Sequence, residues 1–311
     1  MTSPAQPMAV RPGAPDVAAA LLDDIEQHRG VPAVDETEHD RLRADPSSAG
    51  WEPRLAVRDD TPVGYAGVRV EPDGSTVAEL AVVAGDEGVA ALAALLDDVG
   101  AQGHVRAWLR GAEPVHLDVA SRSGWVPDVR LQVLGLVAAI DGPGAGPSVL
   151  LPDPASAPPD GVRVRTFTDP DADAVERLLA AAHPESTDGW GEGGFARRRA
   201  ADWFRAEDLL LLDEADVLLG VHWMKRRGPG LGEVHNLAVH PNAQGRGFGG
   251  LLLDAGLAHL AAIGCSEVLL WVAADNAPAR RLYASRGFGH RWDDVALVPA
   301  QAPGRSSSPP R

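Results

Sequence analysis

One feature constrains the architecture of this chain before any other: it repeats itself at a fixed spacing. The run AELAVV (78–83) lines up with HNLAVH (235–240), 157 residues later. TPVGYAGVRV (61–70) matches ADVLLGVHWMKR (215–226) at nearly the same spacing, which sets Gly64 against Gly220, and ASRSGW (120–125) resembles ASRGF (284–288). A period of this length is that of a whole domain, and two such units suit a chain of 311 residues. Between the copies runs DGPGAGPSVLLPDPASAPPDG (141–161), rich in Pro, Gly, Ala and Ser and without periodicity, the composition of a linker.

Both halves share one order of patterns. A helical segment comes first, VAAALLDDIEQ or DADAVERLLAAAH. Three strand-like runs come next, which in the second half are DLLLLDEA, VLLGVHWMKR and GEVHNLAVH. After them stand a helix, a strand (HVRAWLRG or SEVLLWVAAD), a shorter helix and a last strand. The expectation is an α+β fold made twice, over residues 1–140 and 162–300, with 141–161 as linker and 301–311 as a disordered tail.

Charge and cysteine usage limit the function classes. A formal net charge of −16 and the lack of any basic stripe argue against a nucleic-acid surface. The single cysteine, Cys265, rules out an intrachain disulfide and suits the cytoplasm, and it reads as a small buried residue. No signal-peptide core and no apolar run long enough for a bilayer is present. Of the 28 basic residues only Lys225 is a lysine, which either marks a place needing a compact ammonium or is a chance survivor on a solvated strand face.

The stretch VHPNAQGRGFGG (239–250) joins the strand-like NLAVH to the helical LLLDAGLAHL. Glycines let backbone N–H groups approach an anion, and the positive end of the next helix faces it. No lysine comes after the glycines as in a P-loop, and the spacing of the dinucleotide-binding glycines does not fit. In the first copy Gln244 maps to Glu87, Gly247 to Ala90 and Gly249 to Leu92, so an acid and side chains stand where phosphate and bare backbone would meet. The first half reads as a degenerate copy.

The sequence Gln244-Gly245-Arg246-Gly247-Phe248-Gly249, with ADNAPARRLYASRGF (274–288) downstream, resembles the acyl-CoA loop of the GCN5-related N-acetyltransferase (GNAT) family over residues 162–298. The resemblance implies two tandem GNAT-like domains, each a mixed, mostly antiparallel sheet flanked by helices, of which the second is catalytic. It implies acetyl-CoA as acetyl donor, and no metal. The cofactor would meet Leu237, Ala238 and Val239 at the strand end, Gln244 to Gly250 (Gln244, Gly245, Arg246, Gly247, Phe248, Gly249, Gly250), and Asn276, Ala277, Pro278, Ala279, Arg280 and Arg281. The Val239 N–H would polarise the thioester carbonyl and Tyr283 would protonate the coenzyme A sulfur. Glu233 is the expected general base, acting through water. It lies six residues before Val239, so alternation puts both side chains on one face, and Thr76 replaces it in the first copy.

HPESTDGW (183–190), GVHWMK (220–225), GEV (232–234) and the tandem plan resemble the mycothiol synthase family more narrowly. That resemblance implies acetylation of the cysteinyl amine of a cysteine-glucosamine-inositol conjugate, contacted by Glu36, Glu185, Lys225, Glu233 and Trp271. Departures stand at Ala273, where an acid is frequent, at Trp271 for a usual tyrosine, and at His235 for an aromatic or apolar residue. They keep open another small amine as acceptor, or a binding module without turnover. The expected protein is a cytoplasmic monomer whose partners are acetyl-CoA and a small amine, with neither nucleic acid nor membrane.

Overall fold

The structure, a computed structural model, describes residues 8–43, 52–71, 74–103, 105–137, 158–183 and 193–300. Most of the expected linker and all of the expected tail therefore lie outside the described residues. The chain divides into two compact units, residues 1–132 with 292–311, and residues 133–291.

The first unit contains β1 (Ala9–Pro12), α1 (Pro15–Arg29), α2 (Glu36–Arg43), β2 (Glu52–Arg58), β3 (Thr61–Val70), β4 (Thr76–Val82), α3 (Gly85–Gly100), β5 (Val105–Leu109), α4 (Pro114–Arg122) and the start of β6 (Trp125–Val137). Strands β1 to β4 pair antiparallel in chain order, and β4 pairs parallel with β5. On one face Leu92, Leu95 and Leu96 of α3 pack on Ala66, Leu80 and Val82; on the other, Leu22 and Ile25 of α1 pack on Tyr65 and Ala81. Each fully buried leucine contributes roughly 1.5–3 kcal/mol, so both helices are held by the alternation of these strands.

The second unit holds the end of β6, then β7 (Val162–Thr166), α5 (Ala172–Ala182), α6 (Gly194–Arg199), β8 (Leu209–Glu214), β9 (Val217–Gly228), β10 (Leu231–Val239), α7 (Phe248–Ala262), β11 (Glu267–Ala273) and α8 (Ala277–Ala284). Strands β7 to β10 are antiparallel in chain order and β10 is parallel to β11. Helices α5 and α6 cover one face through Leu178, Leu179 and Phe195; α7 and α8 cover the other through Leu253, Leu257 and Tyr283. Within each unit the strand pairing is mixed and mostly antiparallel, as expected. The short opening strands β1 and β7 escaped the sequence reading, because four or five residues alternate too briefly to register.

The repeat is visible atom by atom. The hairpin β2–β3 turns at Asp59 and Asp60 with φ of 48° and 60°, and β8–β9 at Ala215 and Asp216 with 48° and 61°, a paired left-handed conformation that suits the twist of two-residue hairpins. A Cβ on Gly64 would meet Leu95 at 3.0 Å, and one on Gly220 would meet Leu252 at 2.7 Å. Leu95 and Leu252 are themselves 157 residues apart. Each glycine lets its strand approach the helix that crosses it.

The last strand, β12 (Gly289–Pro299), closes the first unit, not the second: Val295, Ala296 and Leu297 pair antiparallel with Leu109, Trp108 and Ala107 of β5. Asp294 accepts from the Gly111 N–H at 3.0 Å, and Ala112 N–H donates to the Asp293 carbonyl at 2.7 Å. Leu134 and Leu136, at the end of β6, are core residues of the second unit. Sequence periodicity identifies both strands but not the sheet each joins.

Candidate active site

The site is built on β10. Its ladder with β11 runs from Leu231↔Glu267 to Val234↔Leu270 and, among the described residues, stops there. The remaining half of β10 stays paired with β9 alone, and His240 N–H donates to Leu219 on the β9 side at 2.8 Å. Successive N–H groups of a strand point to opposite sides, so that of Val239 points into the open side of the splayed pair. The Val239 carbonyl points the same way and accepts from Gln244 Nε2 at 3.2 Å.

A bulge interrupts the pairing with β9. Val234 stands opposite Met224 and Asn236 opposite Trp223, leaving His235 as the extra residue. The insertion changes the parity of everything beyond it. Before it, Val234 joins the core under α7; after it, Leu237 and Val239 do so, while Ala238 packs with Phe195 and Trp223 under α5 and α6. Glu233 and Val239 therefore present their side chains to opposite faces, which corrects the expectation from simple alternation. Val239 offers only its backbone.

On the α5–α6 face a polar cluster surrounds Glu233, whose side chain is 6% exposed. Its Oε2 accepts from Arg227 Nε, and its Oε1 is 3.0 Å from His235 Nδ1. Burial alone pushes the carboxyl up, but the hydrogen bonds and charges of His235 and Arg227 outweigh it and hold the group at about 2. The His235 ring meets Trp203 edge-on at 4.8 Å and Trp223 at 5.4 Å. Lys225 Nζ lies 4.4 Å over the Trp203 ring, and Arg227 lies 5.0 Å over that of Trp271. Beside them, Asn236 Nδ2 donates to His183 Nε2 at 3.2 Å.

The glycine loop lies between the end of β10 and α7. Gly245 and Gly247 have φ of 76° and 84°, which a side chain would strain, and a Cβ on either would meet nothing within 4 Å. Gly247 is the N-cap of α7, whose Phe248 is buried and anchors the first turn. The first-turn N–H groups of a helix lack intrahelical acceptors, so with two open glycines beside them the cradle fits a pyrophosphate. Arg246 is held out over Phe248 by Glu214, with N–O distances of 2.6 and 2.9 Å.

Helix α8 carries the other expected residues. Asn276 caps it, its side chain accepting from Ala279 N–H at 3.1 Å; Pro278 lies in the first turn, and Arg280 Nη1 donates to the Ala274 carbonyl at 3.0 Å. Tyr283 is buried against Phe288, ring centroids 5.7 Å apart, and burial pushes its hydroxyl up to about 12. It is protonated at neutral pH and so available as a proton donor.

Of the expected acceptor residues, the structure gathers Lys225, Glu233 and Trp271 on one face of the second unit. Glu36 is an exposed residue at the head of α2 in the first unit, and Glu185 lies outside the described residues. Arg227, Trp203, Asn236 and His183 were not anticipated as members of the cluster. Arg227 is one arginine among many, and Trp203 is brought to β10 only by tertiary packing, so no local signal marks them. No group of three or more metal-ligating side chains is placed to hold an ion among the described residues.

The first copy has lost both halves of this arrangement. Phe248 maps onto Ala91, yet α3 begins at Gly85, so the loop has been wound into more than a turn of helix. Asp86 and Glu87 occupy its first turn and themselves complement the positive helix end. Thr76 stands for Glu233, and Asn236 is replaced by Glu79, buried and bonded to Arg110 at 2.8 Å.

Comparison with known proteins gives a consistent result. Residues 173–288 match the Acetyltransferase (GNAT) family. A mycothiol acetyltransferase of Actinosynnema mirum is 37% identical over 91% of this chain and 95% of its own length. One of Tsukamurella paurometabola is 40% identical over 76% and 82% respectively. Among solved structures, a GCN5-related N-acetyltransferase from Sphaerobacter thermophilus superposes with a TM-score of 0.68 at 21% identity, over 94% of this chain and 95% of that one. A tandem GNAT protein from the clavulanic acid biosynthesis pathway gives 0.65 at 17%, over 94% and 97%. These two likenesses speak to the fold alone.

Proposed function

Because the chain belongs to the mycothiol acetyltransferase family, we propose that its second unit acetylates the cysteinyl amine of a cysteine-glucosamine-inositol conjugate, the last step of mycothiol biosynthesis. Acetyl-CoA supplies the acetyl group as an activated thioester. The observation that carries the reading is the opening of β10: a strand whose far half has lost its β11 ladder lies between an open glycine loop and a face bearing an ionised carboxylate.

Each residue then has a physical task. Leu237, Ala238 and Val239 offer backbone to the pantetheine arm, and the Val239 N–H stabilises the charge that develops on the thioester oxygen. Gln244, Gly245, Arg246, Gly247, Phe248, Gly249 and Gly250 hold the pyrophosphate; Asn276, Ala277, Pro278, Ala279, Arg280 and Arg281 line the rest of the cofactor. Tyr283, neutral near pH 7 as tyrosines are and kept so to higher pH by burial, gives its proton to the departing sulfur. Glu233 serves proton removal from the amine. Lys225 and Trp271, on the same face as Glu233, contribute to recognition of a polyol-bearing acceptor. The protein acts as a cytoplasmic monomer. Among the described residues no helix is long and apolar enough to cross a membrane.

The deciding experiment measures thiol release from acetyl-CoA with the conjugate and with a panel of simple amines and peptides. Strong, saturable preference for the conjugate is the expected outcome. Turnover of other amines alone would favour the second reading, a tandem acetyltransferase with another small-amine acceptor. Trp271 beneath Arg227, and Ala273 in place of an acid, are the observations that favour it. Acetyl-CoA binding with no turnover of any amine would reduce the protein to a binding module.

A further inference from the structure

We propose that Glu214 competes with the phosphates of acetyl-CoA for Arg246, so that this carboxylate sets how tightly the second unit holds the donor and how readily it lets coenzyme A go. This rests on the reading of the glycine loop as the cofactor cradle.

The pair joins two elements of different stiffness. Glu214 is the last residue of β8, with Val162 of β7 on one side and Val217 of β9 on the other, so the sheet fixes its backbone. Arg246 lies in the loop between Gly245 and Gly247, both at positive φ. Its two Nη atoms donate to the two carboxylate oxygens at 2.6 and 2.9 Å, and its Cζ lies 4.4 Å over the ring of Phe248. That ring is buried in the first turn of α7, the turn whose N–H groups face an anion. The guanidinium is thus drawn from the cradle toward the β8–β9 hairpin.

Carboxylate and phosphate are both gripped by the planar fork of an arginine, so one fork serves one of them at a time. The N–H groups of Arg246 outside the pair remain open to a phosphate, but a phosphate taking them would lie beside the Glu214 charge. Repulsion between the two anions then weakens both contacts. The fold has little need of the pair itself. The side chains are 45% and 31% exposed, and an exposed ion pair contributes little to stability.

The first copy ties the pair to the cofactor loop. Val89 replaces Arg246, and at the spacing that sets Asp59 against Ala215, Arg58 stands where Glu214 does. Carboxylate and arginine occur in this arrangement only in the copy that keeps the glycines.

The test is calorimetric binding of acetyl-CoA and of coenzyme A to the full-length protein. Glu214→Gln, an isosteric change at the surface, should tighten both by about three- to fivefold, within the range that exposed pairs span, and product inhibition by coenzyme A should strengthen in step. Arg246→Gln should weaken both by about tenfold, and in that background Glu214→Gln should change them by less than about 1.5-fold. Asp216→Asn removes a charge from the same hairpin, one that pairs with Arg163 instead, and should leave both affinities within about 1.5-fold. Unchanged or weaker binding by Glu214→Gln, a gain that survives Arg246→Gln, or an equal gain from Asp216→Asn would each overturn the proposal. The 3′-dephospho form of acetyl-CoA identifies the phosphate concerned. A gain kept with it assigns Arg246 to the pyrophosphate and a gain lost assigns it to the 3′-phosphate, and either supports the competition. If wild type binds no acetyl-CoA, the cofactor reading falls and takes the proposal with it; binding that Glu214→Gln does not tighten sinks the proposal alone.

Discussion

Individual side chains in the second unit are specialised by burial. Burial raises the Tyr283 hydroxyl, so it stays protonated beyond the pH at which an exposed tyrosine ionises. Tyr283→Phe should lower kcat about 10- to 100-fold with little change in KM for acetyl-CoA, as steady-state kinetics would show. Glu233→Gln should likewise cost kcat far more than acetyl-CoA affinity, checked by pairing turnover with calorimetric binding; an equal loss in both would refute the assignment. His222 illustrates burial acting on a base. Burial lowers it to about 4, although its hydrogen bond to the Leu252 carbonyl at 2.8 Å works the other way. An exposed histidine binds its proton near 6.5, so on acidification the unfolded chain is protonated first. The stability it confers is full above pH 6.5 and is lost as pH falls from 6.5 to 4, by up to about 3 kcal/mol. The stability gap between wild type and His222→Gln, measured by denaturant titration, should narrow by that amount across that window.

At the scale of elements, the site depends on how closely α7 crosses the sheet. A Cβ on Gly256 would lie 2.0 Å from His222 Nδ1, so the helix can pass over β9 only with hydrogen at that position. Gly256→Ala gains helix propensity of about 1 kcal/mol but must displace a buried, hydrogen-bonded ring, and a net loss of about 2–4 kcal/mol is expected in thermal or denaturant unfolding. The loop before α7 obeys a different rule. Gly247→Val meets no neighbour but demands a positive φ from a β-branched residue, so it should weaken acetyl-CoA binding by tenfold or more while leaving the fold intact. Calorimetry alongside a melting curve separates the two. In the first copy, without those glycines, the matching stretch continues as helix α3.

For the whole molecule, duplication has not produced two self-contained halves. The strand from Trp292 onward completes the first unit, where Asp294 is 2% exposed and bonded to the Gly111 N–H and to Arg110. Residues 1–140 expressed alone would leave β5 with a bare edge and those donors unsatisfied. They should fail to fold or should aggregate. Supplying the 288–300 segment should restore order, and circular dichroism with amide exchange would show it. Cutting between the copies thus harms the first half before the second.

The duplication, the α+β class, a glycine-rich loop before a helix, and Glu233 and Tyr283 as candidates could be read from the sequence. All of them depend on local spacing and residue chemistry, which survive without coordinates: alternation marks strands, and glycines before a helix mark an anion site. Three matters were decided only in three dimensions. The bulge at His235 moved Val239 to the opposite face from Glu233, because a single unpaired residue reverses every later side chain and leaves no mark in composition. The partner of β12 depended on long-range pairing, to which periodicity is indifferent. Arg227, Trp203 and His183 joined the cluster around Glu233 from β9, the turn before β8 and the end of α5, where an arginine or tryptophan looks like any other. Local pattern encodes what each segment is; only packing sets which side chains of distant segments share a charge.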